Sequence, residues 1–153
     1  MNRHACLALL LAACGGSSTP AAAPATSESA GAEADRFAMV ELEDVAARID
    51  ASSAEHPLAL LDANSRHTYD EHHLPTARWV DYDALTAEQL PADHAEPLVF
   101  YCHDEDCQAS HVAARAALEM GFSSVSVMHA GLQGWIDSGR PVETTPGYVP
   151  EPD

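Results

Sequence analysis

The chain has 153 residues, 46% of them hydrophobic, with 24 acidic side chains against seven basic ones and a formal net charge of -17. This length suits one domain with an accessory segment. An acidic surface of this strength repels nucleic acid and anionic lipid headgroups, which excludes both as binding partners. Four cysteines are too few for a disulfide-dense scaffold; Cys6 and Cys14 lie near the start, and Cys102 and Cys107 sit together in the middle.

Residues 1–13 read as an export signal. Arg3 gives a weakly basic start, and Ala5 to Ala13 form an apolar run too short to span a bilayer. The run closes on Leu11-Ala12-Ala13-Cys14, followed by Gly15-Gly16, and resembles the bacterial lipobox, in which the cysteine is lipidated and becomes the mature N-terminus. Cys14 is therefore the expected lipidation site. A plain secretory signal would export the chain as well. Residues 14–36 are rich in Ala, Ser, Thr, Pro and Gly and cannot offset the entropy of ordering, so they read as a flexible tether. The expected location is the bacterial cell envelope, with the domain outside the cytoplasm and the membrane met only through the lipid anchor.

Residues 37–145 carry the domain pattern, and 146–153 read as a tail. Leu42, Val45, Ala46 and Ile49 recur at helical spacing, with acids in the first turn and Arg48 near the end. Leu58-Ala59-Leu60-Leu61 is a buried-strand signal stopped by Asp62. Thr86-Ala87-Glu88-Gln89 has the form of a capping box opening a short helix. Leu98-Val99-Phe100-Tyr101 is a second buried strand, ending at Cys102. Val112, Ala113, Ala116, Ala117 and Met120 form an apolar helical stripe stopped by Gly121. Val125, Val127 and Met128 make a third strand, and Leu132 to Ser138 a short helix closed by Gly139. Strands alternating with helices predict an α/β fold in three layers, a mostly parallel central sheet with helices on both faces. Sites in such sheets lie at the carboxyl ends of strands, where this chain places Asp62, Cys102 and His129.

The stretch Tyr101-Cys102-His103-Asp104-Glu105-Asp106-Cys107-Gln108-Ala109-Ser110 joins a buried strand to an amphipathic helix. Inward N–H groups and a helix N-terminus would stabilise an anion at the centre of such a loop and give Cys102 thiolate character. His103, His111 and His129 are candidates to lie near it, His129 first because it follows a strand directly. No Lys or Arg stands between Cys102 and His111, and Asp104, Glu105 and Asp106 make the loop acidic. A phosphatase loop needs an arginine to hold phosphate, so phosphatase activity is not expected. Arg66 is the candidate compensating cation. The residues leave several readings open: nucleophilic sulfur chemistry at Cys102, a thiol–disulfide pair with Cys107, a copper or zinc module using Cys102, His103, Asp106, Cys107 and His111, or an inactive recognition domain.

Asp62-Ala63-Asn64, Tyr69 and His73-Leu74-Pro75-Thr76-Ala77 resemble the early motif of the rhodanese family. Val99-Phe100-Tyr101-Cys102 is similar to the strand carrying its catalytic cysteine. Gly121-Phe122, Val125, Ala130-Gly131-Leu132, Gly134-Trp135, Gly139 and Pro141-Val142 are similar to its C-terminal signature. The resemblance runs from Phe37 to about Glu143 and implies a rhodanese-like fold with sulfur transfer through a persulfide on Cys102. Cys107, His103, His129, Arg66 and Asp62 are the candidate supporting residues. Neither a cofactor nor a metal is implied, and the implied partners are a small sulfur donor or a thiol or persulfide protein. The chain departs from the family at Asn64, His72, Thr76 and Ala109, which stand where an arginine, a glycine, a glycine and an arginine are usual. Its loop is longer and holds Cys107, resembling a subgroup with a Cys-x4-Cys loop. If Cys14 carries the anchor, Cys14→Ser abolishes lipidation and shifts the protein out of the membrane fraction; a soluble wild-type protein whose mature N-terminus is another residue overturns the assignment.

Overall fold

The computed structural model describes residues 37–150, so Cys14 and the segments 1–13 and 14–36 lie outside the described residues. Five parallel strands form one sheet in the order β1-β5-β4-β2-β3. They are β1 (Ala38–Val40), β2 (Ala59–Asp62), β3 (Arg78–Trp79), β4 (Leu98–Tyr101) and β5 (Val125–Met128). Four helices flank them: α1 (Leu42–Ala51), α2 (Arg66–Glu71), α3 (Ala109–Glu119) and α4 (Gly131–Asp137), with a 3-10 turn at Ala87–Gln89. Both halves of the Thr86/Gln89 capping box are closed.

β2, β4 and β5 are buried on both faces, and their alternating side chains feed two cores. Leu61, Leu98, Phe100, Val125 and Val127 pack with Ala113, Ala114 and Ala117 of α3 on one face. Leu60, Val99, Tyr101 and Met128 pack with Val45 of α1 and Leu132 and Trp135 of α4 on the other. The sheet therefore has helices on both sides.

Several local features differ from the sequence reading. Strand β2 begins at Ala59 and includes Asp62, one residue later than the apolar run predicts. Val112 is not part of the buried stripe; it is exposed, and α3 faces the core with Ser110, Ala113, Ala114 and Ala117, whose small side chains let the helix backbone approach the sheet. β1, α2 and β3 were not anticipated. The two strands have three and two residues, too few to show a period. α2 buries no residue, so it has no apolar stripe. Local polar bonds define it instead: the Ser65 hydroxyl accepts the Thr68 N–H at 3.1 Å, and Arg66 pairs with Asp70 one turn on.

The segment after α2 is tied to the sheet by a buried phenol. Tyr101 Oη accepts the Leu74 N–H at 3.0 Å, and Tyr69 Oη donates to the Ala77 carbonyl at 2.9 Å. Within this turn Thr76 has φ 70°, the only positive φ outside glycine among the described residues. A β-branched residue in that region is strained by roughly 1–3 kcal/mol, more than the backbone entropy that glycine loses on folding. Thr76→Gly is therefore expected to raise stability by about 1 kcal/mol in urea unfolding; a variant less stable than the wild type sinks this account of the turn.

Candidate active site

β4 continues its alternation into Cys102, which is 1% exposed and belongs to the core under α3. The loop that follows folds back around Asp104, whose carbonyl accepts the Cys107 N–H at 3.3 Å and whose carboxylate accepts the Asp106 N–H at 3.1 Å. This returns Cys107 to Cys102. Their Cα atoms stand 6.2 Å apart and the two side chains are joined as a disulfide, at a separation such a bond spans readily. Cys107 remains partly exposed.

The polar neighbours of Cys102 Sγ are the Ser110 hydroxyl and the Cys107 carbonyl oxygen, each at 3.2 Å. Of the loop's N–H groups, those of Asp106 and Cys107 bond Asp104 and not the sulfur. The hydroxyl of Ser110, in the first turn of α3, does face the sulfur.

α4 holds the other side of the loop. Leu132 and Gln133 N–H groups donate to the Cys102 and His103 carbonyls, both at 2.8 Å. Gly131 starts this helix with φ 62°, and a Cβ there would lie 2.7 Å from the Asp104 backbone N and Cα. Only glycine allows so close an approach in that conformation.

The histidines do not converge on the sulfur. His103 is exposed. His111 Nδ1 lies 3.3 Å from the Cys107 carbonyl and its ring meets Phe37 edge-on. His129, at the end of β5, reaches the loop through Glu105, with Nε2 3.6 Å from the carboxylate. Among the described residues no three His, Cys, Asp or Glu side chains converge to hold a metal ion, and the disulfide occupies both thiols of the metal-module reading. Beside the loop a cavity of about 250 Å³ is lined by Asp104, Glu105, Asp137 and Gln133, so this rim is acidic.

Arg66 does not offset these acids. Its guanidinium pairs with Asp70 at 3.0 Å and lies 5.4 and 5.5 Å from the ring centres of Tyr69 and Trp79. The C-terminal segment crosses the same helix: Thr145 bonds Asp70, Glu143 pairs backbone to backbone with His73, and Tyr148 packs edge-on against His67. Packing thus continues past residue 145.

Asp62 ends β2 directly beside Tyr101 of β4 and is fully buried. Burial pushes its carboxyl up from 3.8 to about 6, opposed in part by the Tyr101 hydroxyl and the Asn64 backbone N–H. The Asn64 N–H donates to Oδ1 at 2.7 Å, while Oδ2 has no hydrogen-bond partner and the Tyr101 hydroxyl faces the carboxyl without closing a bond to that oxygen. The sequence marks this acid as a strand-end and candidate supporting residue; its burial follows from the apolar strands on either side, but its raised pKa is not legible there.

Residues 41–138 match the family model described as the rhodanese-like domain. Solved structures with the same fold include a Bacillus halodurans protein (21% identity, 71% of this chain and 77% of that one, TM-score 0.64). Another is a thiosulfate sulfurtransferase from Pseudomonas aeruginosa (23% identity, 71% of this chain but 20% of that one, TM-score 0.60). A third is a Rhodopseudomonas palustris protein called a possible tyrosine phosphatase (20% identity, 73% and 89% covered, TM-score 0.57). At these identities the likeness is one of fold. No curated protein matches the sequence.

Because the folded state holds the Asp62 proton to higher pH than the unfolded chain does, this group lowers stability as pH rises from about 4 to about 6 and costs a constant roughly 3 kcal/mol above that. Asp62→Asn removes the penalty while keeping an acceptor for Asn64. The stability difference, variant minus wild type, is expected to grow between pH 4 and 6 and then level off; a difference independent of pH in urea titrations would falsify the assignment.

Proposed function

The chain belongs to the rhodanese-like domain family, and from that premise we propose that it moves sulfane sulfur, as a sulfurtransferase or persulfide carrier, with Cys102 as the nucleophile. The observation that supports the reading is the position of Cys102: it stands at the carboxyl end of the central strand, beside the first turn of α3 and the Ser110 hydroxyl. Open α/β sheets place their chemistry at this edge.

In the reduced protein the Cys102 thiolate attacks the outer sulfur of the donor. A new S–S bond forms on Cys102 and the remainder of the donor leaves with its electron pair, as sulfite when thiosulfate is the donor. An acceptor thiolate or cyanide then takes the outer sulfur and restores the Cys102 thiolate. The sulfur rides on the protein, so the cycle calls for no cofactor. The exposed Asp104, Glu105 and Asp106 disfavour a dianion such as thiosulfate and favour a neutral or protein-bound persulfide donor. Phosphoryl transfer fits poorly, because no cation lies between Cys102 and His111 to hold phosphate. The proposal includes an envelope location, with Cys14 as the anchor.

The bond between Cys102 and Cys107 favours a second reading, in which the same pair works as a thiol–disulfide device. Thiocyanate formation from cyanide, measured on pre-reduced protein, separates the two. Under sulfur transfer, wild type is weak with thiosulfate and faster with a neutral persulfide donor. Cys102→Ser falls to the uncatalysed background, and Cys107→Ser keeps measurable turnover. Equal loss in both variants selects the paired mechanism, and no turnover with any donor together with no persulfide on Cys102 rules out sulfur transfer.

A further inference from the structure

We infer that the Cys102–Cys107 bond is a latch that opens from one side only: an incoming thiolate attacks Cys107, and Cys102 is the sulfur that leaves. The inference rests on the reading of Cys102 as the working thiol and adds how that thiol is shut off and released.

The two sulfurs differ in access. Thiol–disulfide exchange proceeds by approach of a thiolate to one sulfur, from the side opposite the bond that breaks. For Cys102 that approach is closed. The residue is 1% exposed and packed in the core with Phe100, Ala113 and Ala114, and its polar neighbours Ser110 and the Cys107 carbonyl stand at 3.2 Å. Cys107 lies at the partly exposed rim of the same cluster, between the exposed Asp106 and Gln108.

They also differ as leaving groups. The sulfur whose thiolate is more stable departs faster. Cys102 Sγ lies against the Ser110 hydroxyl, which can donate to a thiolate, and at the start of an eleven-residue helix whose N-terminal end favours negative charge. Cys107 is next to Asp106, and among the described residues no hydroxyl bonds its sulfur, so charge left there is opposed. Burial of Cys102 opposes charge on its sulfur, an effect that the Ser110 hydroxyl and the helix end offset in part, so access decides the direction.

The reaction balances with a dithiol as reductant. Its first thiolate forms a bond to Cys107 Sγ while the Cys102–Cys107 bond breaks and its electron pair stays on Cys102. The second thiol of the reductant then attacks its own bonded sulfur and releases Cys107 as a thiolate. The protein gains two electrons and the reductant becomes a disulfide. Only after the first step does Cys102 have a free electron pair with which to accept sulfur, so sulfur transfer waits on the reductant. Asp104, Glu105 and Asp106 precede Cys107 in the exposed loop, and Asp104, Glu105 and Asp137 line the adjoining cavity. The fitting reductant is therefore a dithiol protein with a cationic face around its attacking thiol.

The test uses the oxidised, wild-type domain-bearing chain and two monothiols, cysteamine and mercaptoethanesulfonate. A monothiol cannot resolve its own adduct, so acid quenching at short times, alkylation of free thiols and peptide mapping locate the first bond formed. The adduct is expected on Cys107, with alkylated Cys102 in the same molecules, in excess over the reverse product by at least about tenfold. Cysteamine, compared at equal thiolate concentration, is expected to open the bond faster than mercaptoethanesulfonate, with the gap narrowing at high salt. Adduct on Cys102, equal labelling of both sites, or reduction with no adduct at any time overturns the latch; equal rates for the two thiols overturn the cationic partner. None of these readouts involves sulfur transfer, so a failed thiocyanate assay and a failed latch are told apart.

Discussion

The site hangs on the double pairing of β4. That strand is registered against β2 over four residue pairs and against β5 over three. All four of its residues are buried, and their side chains alternate between the two cores. A slip of one residue would exchange Phe100 and Tyr101 between cores that fit neither, so the register is strongly fixed. Cys102, the next residue, inherits that precision. Its sulfur falls on the α3 face, while the Tyr101 hydroxyl falls on the other face and bonds the turn before β3.

Around this fixed point the protein places two ionisable groups at one sheet edge on neighbouring strands, and treats them differently. Asp62 is buried with one oxygen unsatisfied and its proton held to about pH 6. Cys102 is buried with its sulfur bonded to Cys107. Above about pH 6 Asp62 carries its charge in an apolar setting at a cost in stability, whereas Cys102 avoids one by covalent pairing. Asp104, Glu105 and Asp106 stand outside, exposed on the thiol loop, where water solvates them.

Much of this was legible in the sequence because it follows from periodicity. The runs ending at Leu61 and Tyr101 mark the central strands, and the break at Cys102 places the thiol at a carboxyl edge. Long-range contacts left weaker traces. β3 exists because Arg78 and Trp79 meet the end of β2, and α2 because Ser65 and the Arg66–Asp70 pair stabilise it locally. The loop geometry was harder still. The spacing of Cys102 and Cys107 allowed a bond without requiring one. What closes it is the Asp104 turn, held in place by α4 through the close approach at Gly131. A nucleophile loop with a free thiol would direct its N–H groups inward; this one directs those of Asp106 and Cys107 to Asp104, a choice that depends on the contact with Gly131, 27 residues further along the chain.

The direction of β1 has a consequence for how the domain is presented. β1 is parallel to β5, and through it to β4, so the chain enters the fold at the amino ends of the strands. The thiol loop leaves from the carboxyl ends, about 13 Å away across a four-residue sheet. Phe37, where the described chain begins, therefore stands at the pole of the domain opposite Cys102. The polarity of the sheet thus separates the point where the chain enters the fold from the loop that carries the sulfur.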